Sequence, residues 1–490
     1  MSAGVTIIGL GPGDPRLLTR EAWDLLEASA EVYLRTREHP VVSSFPAHLQ
    51  VFSFDELYQQ SQTFEAVYAQ IVEQVLTLGR RTEGVVYAVP GHPYVAEATA
   101  PEIVRRARAE GLTVRVVQGL SFLEPVFSAL GIDPFPNLAL VDALELASAH
   151  MPSFPPSVAA LIAQVYSPLI ASDLKLTLMN VYPDEHPVQL VHAAGTPQER
   201  VENLALYEID RSPHIGLLTC LYVPPLGVET SFEAFQEVVA RLRAPDGCPW
   251  DREQTHQSLR SDLLEEAYEA LAAMDAQDVV ALCEELGDLL LLILLHTQIA
   301  SESGEFNMTD VLRGIHTKIV RRHPHVFGET RLDDARQVLQ NWERLKAEER
   351  AANGKSETGL LDGAPLALPA LAQAQQYQKR AARVGFDWPE LQGVMDKLLE
   401  ELREVEEAPE GEAKAAEIGD LLFAVVNLAR WYHVDAESAL REANARFRER
   451  FAYIESAARA QGRSLDQLTL DEMEQLWQQG KKAQSDKDRL

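Results

Sequence analysis

One helical passage occurs twice in the second half of this 490-residue chain, and that duplication limits the fold more than any other feature. The first copy reads GCPWD (247–251), LLEEAYEAL (263–271), EELGDLLLLILL (284–295) and KIVRRHPHVF (318–327). The second reads GFDW (385–388), LLEELREVEEA (398–408), EIGDLLFAVVNLARW (417–431) and RFRERF (446–451). Order agrees throughout and spacing nearly so: Glu269 and Glu285 lie 16 residues apart, Glu404 and Glu417 lie 13 apart. Each copy is long enough for a small bundle and carries the apolar period of amphipathic helices.

Acids recur with the helices. Glu266 and Glu269 are three residues apart, as are Glu285 and Asp288, and such spacing puts both members on one helix face. If the two helices pack antiparallel, four carboxylates meet at one locus. Glu401, Glu404, Glu417 and Asp420 form the same quartet in the second copy. Four clustered carboxylates repel unless cations join them, and oxygen-only ligation favours Mg²⁺ or Mn²⁺ over zinc. A di-iron carboxylate bundle needs Glu-x-x-His pairs among the clustered acids, and none of these eight acids is followed by a His three residues on. The ExxD pairs run directly into LLLLILL and LLFAVV, so those acids are expected beside a buried helix, where unpaired charge is costly.

Cations follow the acids. Lys318 and Arg322 are one helical turn apart, as are Arg446 and Arg450. Each pair suits either the outer phosphates of a nucleotide or an ordinary basic helix face. Trp250 and Trp388 suit either stacking on a base or packing at a helix entrance.

The first 225 residues have a different texture. Apolar, β-branched segments at 5–10, 84–89, 112–117, 188–194 and 215–223 alternate with helical patterns such as Thr19 to Ser29, which reads as α/β. Strands almost vanish after Pro224-Pro225, and 351–369 reads as a linker between the helical copies. The expected domains are therefore 1–225, α/β; 226–350, helical; and 370–490, helical. Gly9 to Asp14 follows a strand and precedes a helix, so it reads as a tight turn or as a glycine-rich cofactor loop that lacks the third glycine.

Composition narrows the partners. The formal net charge is −30, which opposes non-specific contact with nucleic acid or an anionic membrane. Cys220, Cys248 and Cys283 are too few and scattered for a disulfide framework or a zinc site. The start lacks the features of a signal peptide, and the longest apolar run, Leu289 to Leu295, is far short of a membrane span. A cytoplasmic protein is expected.

Residues 230–485 closely resemble the tandem nucleotide pyrophosphohydrolase MazG, through CPWDREQTHQSL, EEAYE…EELGDLL, KIVRRHPHVF, NWERLKAEER, KRAARVGFDW, EIGDLLFAVVNLAR and ALREANARFRERF. The resemblance implies an all-α dimer that cleaves nucleoside triphosphates between the α and β phosphates. It makes both quartets metal ligands, and it assigns indirect assistance to Glu265 and Glu400, the first Glu of each EExxE. Residues 3–225 are similar to the tetrapyrrole methylases, which use S-adenosylmethionine, through GLGPGDPRLLT (9–19), AVPGHPYVAE (88–97) and VVQGLSFLEPVFSALGID (116–133). This implies two α/β lobes with cofactor contacts at Pro12, Gly91, His92, Pro93 and Ser121. Two departures stand out: Pro90-Gly91-His92-Pro93 replaces Gly-Gly-Asp-Pro, and Val117-Gln118-Gly119 replaces Val-Pro-Gly.

The whole resembles fused methylase–MazG proteins of the YabN type. A Mg²⁺-dependent pyrophosphohydrolase with a methyltransferase-like domain is the leading expectation. Two alternatives stand: methyl transfer as the principal activity, with the helices clearing nucleotide or dimerising, and an N-terminal ligand sensor that regulates the hydrolase. The resemblance implies a homodimer through the helical copies, with packing of the two copies of one chain on each other as the alternative.

Overall fold

The computed structural model describes residues 3–60, 63–332, 334–352 and 359–487. Residues 353–358 of the expected linker lie outside the described residues. Two compact units are present, Met1–Glu253 and Gln254–Leu490.

The first unit opens with β1 (Gly4–Gly9), α1 (Arg20–Ala28), β2 (Glu31–Leu34), β3 (Gln50–Ser53), α2 (Asp55–Gln60) and α3 (Phe64–Gly79). It continues through β4 (Val85–Val89), α4 (Thr99–Ala109), β5 (Thr113–Val117) and α5 (Leu123–Leu130). These strands form a parallel sheet in the order β3-β2-β4-β1-β5. Side-chain alternation sets its layers. Val5, Ile7, Val85, Tyr87 and Val89 pack on α3 and α4, whereas Ile8, Val86 and Ala88 join Ala22 and Leu26 of α1. A sheet covered on both faces explains why β4 is VVYAV, buried throughout.

The second lobe contains β6 (Leu138–Asp142), α6 (Ala143–Ser148), β7 (Ala159–Ala163), α7 (Pro168–Met179), β8 (Pro187–His192), β9 (Arg200–Ala205) and β10 (Thr219–Val223). Its sheet order is β6-β7-β10-β8-β9, parallel only between β6 and β7. Five strands match the sequence expectation. The others, EVYL, QVFS, LALVD, AALIA and RVENLA, are short and give weak period-two signals. Residues 215–218 are not strand, because the chain turns there and Thr219 N–H donates to Gly216 O at 3.0 Å. Two helices close this unit, α8 (Phe232–Arg243) and α9 (Pro249–Glu253).

The second unit is helical: α10 (Arg260–Asp275), α11 (Val279–Glu302), α12 (Met308–Arg322), α13 (Pro324–Phe327) and α14 (Ala335–Ala352) carry the first copy. The second copy follows in α15 (Ala370–Arg383), α16 (Leu391–Glu407), α17 (Glu412–Trp431), α18 (Ala436–Ala460) and α19 (Leu470–Lys487). Helix α10 packs on α11, and α16 on α17, as hairpins with short turns. Asp278 caps α11 by accepting from the N–H groups of Val280 and Ala281, both at 3.0 Å.

One expectation needs correction. The apolar runs of α11 and α17 are buried on one side only: Leu292, Leu294 and Leu295 are covered, but Leu286 and Ile293 are exposed. In α17, Ala424 and Val426 are covered while Leu422, Phe423 and Val425 are exposed. Within this unit, neighbouring helices cover a single face of each, and an apolar face remains.

Candidate functional site

The hairpin of α10 and α11 brings acids together across two helices. Glu266, Glu285 and Asp288 each offer an oxygen within 4.8 Å of the others. Glu401, Glu417 and Asp420 do the same between α16 and α17. The fourth acid of each quartet, Glu269 or Glu404, is exposed and outside these close groups, yet charged neighbours connect it electrostatically to them. Three of four expected ligands therefore converge in each copy.

Their protonation reflects that crowding. Burial, then the charges of Asp288, Glu269 and Glu285, hold Glu266 above the usual carboxylate range. Glu285 is raised by burial and then by Glu269, Glu284 and Asp288, while its contact with Glu266 acts the other way. Glu404 is raised by burial and then by Glu401, with Lys397 opposing.

Glu401 provides the most direct test of whether a cation fits. It is only 5% exposed, and its Oε2 is buried with no hydrogen-bond partner. An orphaned carboxylate oxygen is costly, and a cation among Glu401, Glu417 and Asp420 would satisfy it. The all-oxygen donor set fits a hard divalent ion.

Lys397 is a residue that the motif reading passed over. Its Nζ lies 2.7 Å from Glu400 Oε1 and 2.8 Å from Glu401 Oε1. The i,i+3 and i,i+4 spacing on α16 was the available signal. These two contacts push the lysine pKa up. Glu400 is exposed and held by this lysine, and Glu265 is exposed.

The basic pairs divide. Lys318 is exposed, whereas Arg322 is largely covered and pairs with Glu349. Arg446 pairs with Glu442 at 3.4 Å. Among the described residues, no hydrogen bond or ion pair joins Lys318, Arg322 or Arg446 to either quartet. Each copy also places an arginine over a tryptophan, Arg322 over Trp342 at 5.3 Å and Arg450 over Trp477 at 5.5 Å. The sequence reading singled out Trp250 and Trp388 instead. Trp250 is exposed on α9 of the first unit. Trp388 packs at the entrance of α16, where a methyl added to Gly393 would meet its ring at 2.6 Å.

In the first unit, three loops converge after the adjacent strands β4, β1 and β5. Gly11 N–H donates to Gly91 O at 3.2 Å, and Gly91 N–H returns a bond to Gly11 O at 2.9 Å. A methyl on Gly119 would lie 2.4 Å from Gly91 O, so only glycine allows this approach. Gly91 itself has φ +66° and open space where a side chain would stand. Glycine-lined backbone at the carboxyl ends of parallel strands suits a small cofactor.

The five expected cofactor contacts surround this point unequally. Gly91, His92 and Pro93 lie in the loop after β4, and His92 Nδ1 accepts from Tyr94 N–H at 3.1 Å. Pro12 packs towards the second lobe, 3.0 Å from where a methyl on Gly195 would be. Ser121 is buried and engaged, donating to Glu124 at 2.7 Å and accepting from Leu123 N–H at 3.0 Å. His39 was missed by the sequence reading, which had no motif to mark it. Its Nε2–H donates to Gly11 O at 3.0 Å while Nδ1 is buried without a partner. Burial pushes its pKa down to about 4, against the pull of the Gly11 bond.

Comparison with known proteins agrees with this division. Residues 4–210 match the Tetrapyrrole (Corrin/Porphyrin) Methylases, and residues 254–327 match the MazG nucleotide pyrophosphohydrolase domain. The chain is 42% identical over 493 residues to YabN, an uncharacterized protein of Bacillus subtilis, covering 99% of each. It is 42% identical over 250 residues to the nucleoside triphosphate pyrophosphohydrolase/pyrophosphatase MazG of Thermotoga maritima, covering 51% of this chain and 95% of that one. It is 44% identical over 255 residues to the nucleoside triphosphate pyrophosphohydrolase of Escherichia coli, covering 51% and 96%. Among the described residues, no helix is long and apolar enough to cross a membrane.

Proposed function

Because this chain belongs to the family of proteins that join a tetrapyrrole methylase domain to a MazG nucleotide pyrophosphohydrolase domain, we propose that it is a Mg²⁺-dependent nucleoside triphosphate pyrophosphohydrolase. Its products are a nucleoside monophosphate and pyrophosphate. One observation carries this reading: the same three-carboxylate group occurs in both helical hairpins, and in the second a buried carboxylate oxygen lacks a partner.

Glu266, Glu285 and Asp288, joined by Glu269, would hold metal in the first copy. Glu401, Glu417 and Asp420, joined by Glu404, would hold it in the second. Bound Mg²⁺ or Mn²⁺ supplies charge neutralisation for the departing pyrophosphate and acidifies water. The residues do the rest. Glu265 or Glu400 takes the proton of the attacking water. Lys318, and Arg446 with Arg450, orient the outer phosphates, while Arg322 stays in its pair with Glu349. The protein acts in the cytosol, and the apolar faces left on α11 and α17 are covered in a homodimer.

The test measures pyrophosphate release from a panel of NTPs and dNTPs, with and without Mg²⁺. The wild-type chain is expected to release pyrophosphate only with the metal. Glu285→Gln and Glu417→Gln together are expected to abolish release, and full activity in that double variant overturns the assignment.

The convergence of Gly11, Gly91 and Gly119 favours a second reading for the first unit. Pro12, Gly91, His92, Pro93 and Ser121 would hold S-adenosylmethionine, which supplies a transferable methyl group. The unit then acts as a methyltransferase or as a sensor of that cofactor. Calorimetry with S-adenosylmethionine tests both, because absence of heat removes both.

A further inference from the structure

The two carboxylate clusters share ligand types but differ in their neighbours. In the second, Lys397 bridges Glu400 and Glu401 at 2.7 and 2.8 Å, four residues before the buried Glu401. The equivalent position in the first copy, four residues before Glu266, is Asp262. Among the described residues, none of Asp262, Glu265, Glu266, Glu269, Glu285 or Asp288 has an ion-pair partner. Six aligned positions thus hold six carboxylates in the first copy, a formal −6. They hold five carboxylates and a lysine in the second, a formal −4.

This changes how a dication can enter. In the first cluster nothing has to leave, and the ion relieves repulsion among acids. In the second, one oxygen of Glu401 is already neutralised by an ammonium, and only Oε2 is unsatisfied. An incoming dication repels that ammonium across a few ångströms. The lysine must then find another anion, because an unpaired charge beside a dication is unfavourable. A phosphate of the nucleotide, arriving with the metal, is an anion of the right chemistry for a lysine.

We propose that the first cluster takes up divalent metal by itself, whereas the second takes it up only together with nucleotide, to whose phosphate Lys397 transfers from Glu400 and Glu401. Lys397 is therefore a phosphate-binding residue that couples metal to nucleotide in one copy and has no counterpart in the other. The coupling to nucleotide rests on the hydrolase reading above; the difference between the clusters in metal uptake does not.

Mn²⁺ binding to the full chain, followed by electron paramagnetic resonance of the free ion, tests this. The arms are metal alone and metal with a non-hydrolysable triphosphate analogue. With metal alone, uptake is expected to disappear in Glu285→Gln and to persist in Glu417→Gln. The analogue is expected to add a second class of sites that Glu417→Gln removes. Lys397→Met should create that second class without nucleotide, and Asp262→Lys should weaken the first at least about tenfold. Retained circular dichroism and unfolding midpoints establish that each variant folds.

Equal loss of metal-alone uptake in Glu285→Gln and Glu417→Gln overturns the proposal, as does unchanged uptake in Lys397→Met. Normal pyrophosphate release with equal uptake sinks the Lys397 device and leaves the hydrolase reading standing. Unequal uptake without pyrophosphate release from any nucleotide does the reverse.

Discussion

Arg322 and Glu349 form a two-point pair, Nε donating to Oε1 at 3.1 Å and Nη2 to Oε2 at 2.6 Å. Arg321 adds a second ion pair to the same carboxylate at 2.6 Å. The pair fastens α14 to the end of α12 and engages a cation that the sequence reading offered to phosphate.

Its pH dependence follows from the sign of the shift. Hydrogen bonding from Arg322, then from Arg321, pushes the Glu349 pKa down to about 2. A lowered carboxylate stabilises the fold above its ordinary value of 4.5 and loses that contribution as pH falls towards 2. Glu349→Gln should lower the unfolding midpoint of the helical unit at neutral pH by about 2–4 °C. The variant should also lack this part of the acid sensitivity, as thermal unfolding across pH 7 to 2 will read.

The first quartet predicts the opposite slope. Glu266 and Glu285 are raised above 4.5, so the folded state binds protons more readily than the unfolded chain. Without metal, their contribution should become more favourable as pH drops from neutral through their raised values. Mg²⁺ should remove this trend and raise the midpoint at neutral pH, because it binds the folded form. Differential scanning calorimetry with chelator and with saturating Mg²⁺ compares the two. A midpoint indifferent to Mg²⁺ would count against metal binding at this site.

His39 marks the stability of the first unit. Its lowered value, about 4 against 6.5, means the unfolded chain takes a proton first as pH falls. Stability is complete above pH 6.5 and declines by on the order of 3 kcal/mol as pH falls to 4. His39→Gln should flatten that decline. Chemical denaturation at several pH values between 7 and 4 measures it.

Gly119→Ala tests the loop convergence. Its methyl would meet Gly91 O at 2.4 Å and the Gly9 carbonyl carbon at 2.8 Å, both backbone atoms. Separation of these loops should cost about 1–3 kcal/mol of stability and abolish any S-adenosylmethionine heat. Gly91→Ala, where nothing lies within 4 Å, should cost only the strain of φ +66°, about 1–2 kcal/mol. Equal tolerance of both substitutions would show that the loops do not depend on this approach.

Residue by residue, the acids were more legible than the basic groups. Glu266 with Glu269, and Glu285 with Asp288, share helix faces by spacing alone, and repetition in the second copy singled them out. Their convergence into groups of three, with Glu269 and Glu404 outside, depended on how the hairpins pack. Lys397 escaped notice because a lysine among glutamates is common on helices, and only its reach to the buried Glu401 sets it apart. His39 had no motif, since its contact with Gly11 spans 28 residues.

The sequence by itself determined the division into an α/β part and two related helical copies, because apolar periodicity and repeated motifs are local properties of the chain. It also determined which acids recur. Only the tertiary structure decided that acids of two helices converge in threes, that Glu401 beside Lys397 is buried with Oε2 unpartnered, and that Glu349 engages Arg322. Charge partners are chosen by distances between side chains, and several of those distances exist only once helices pack.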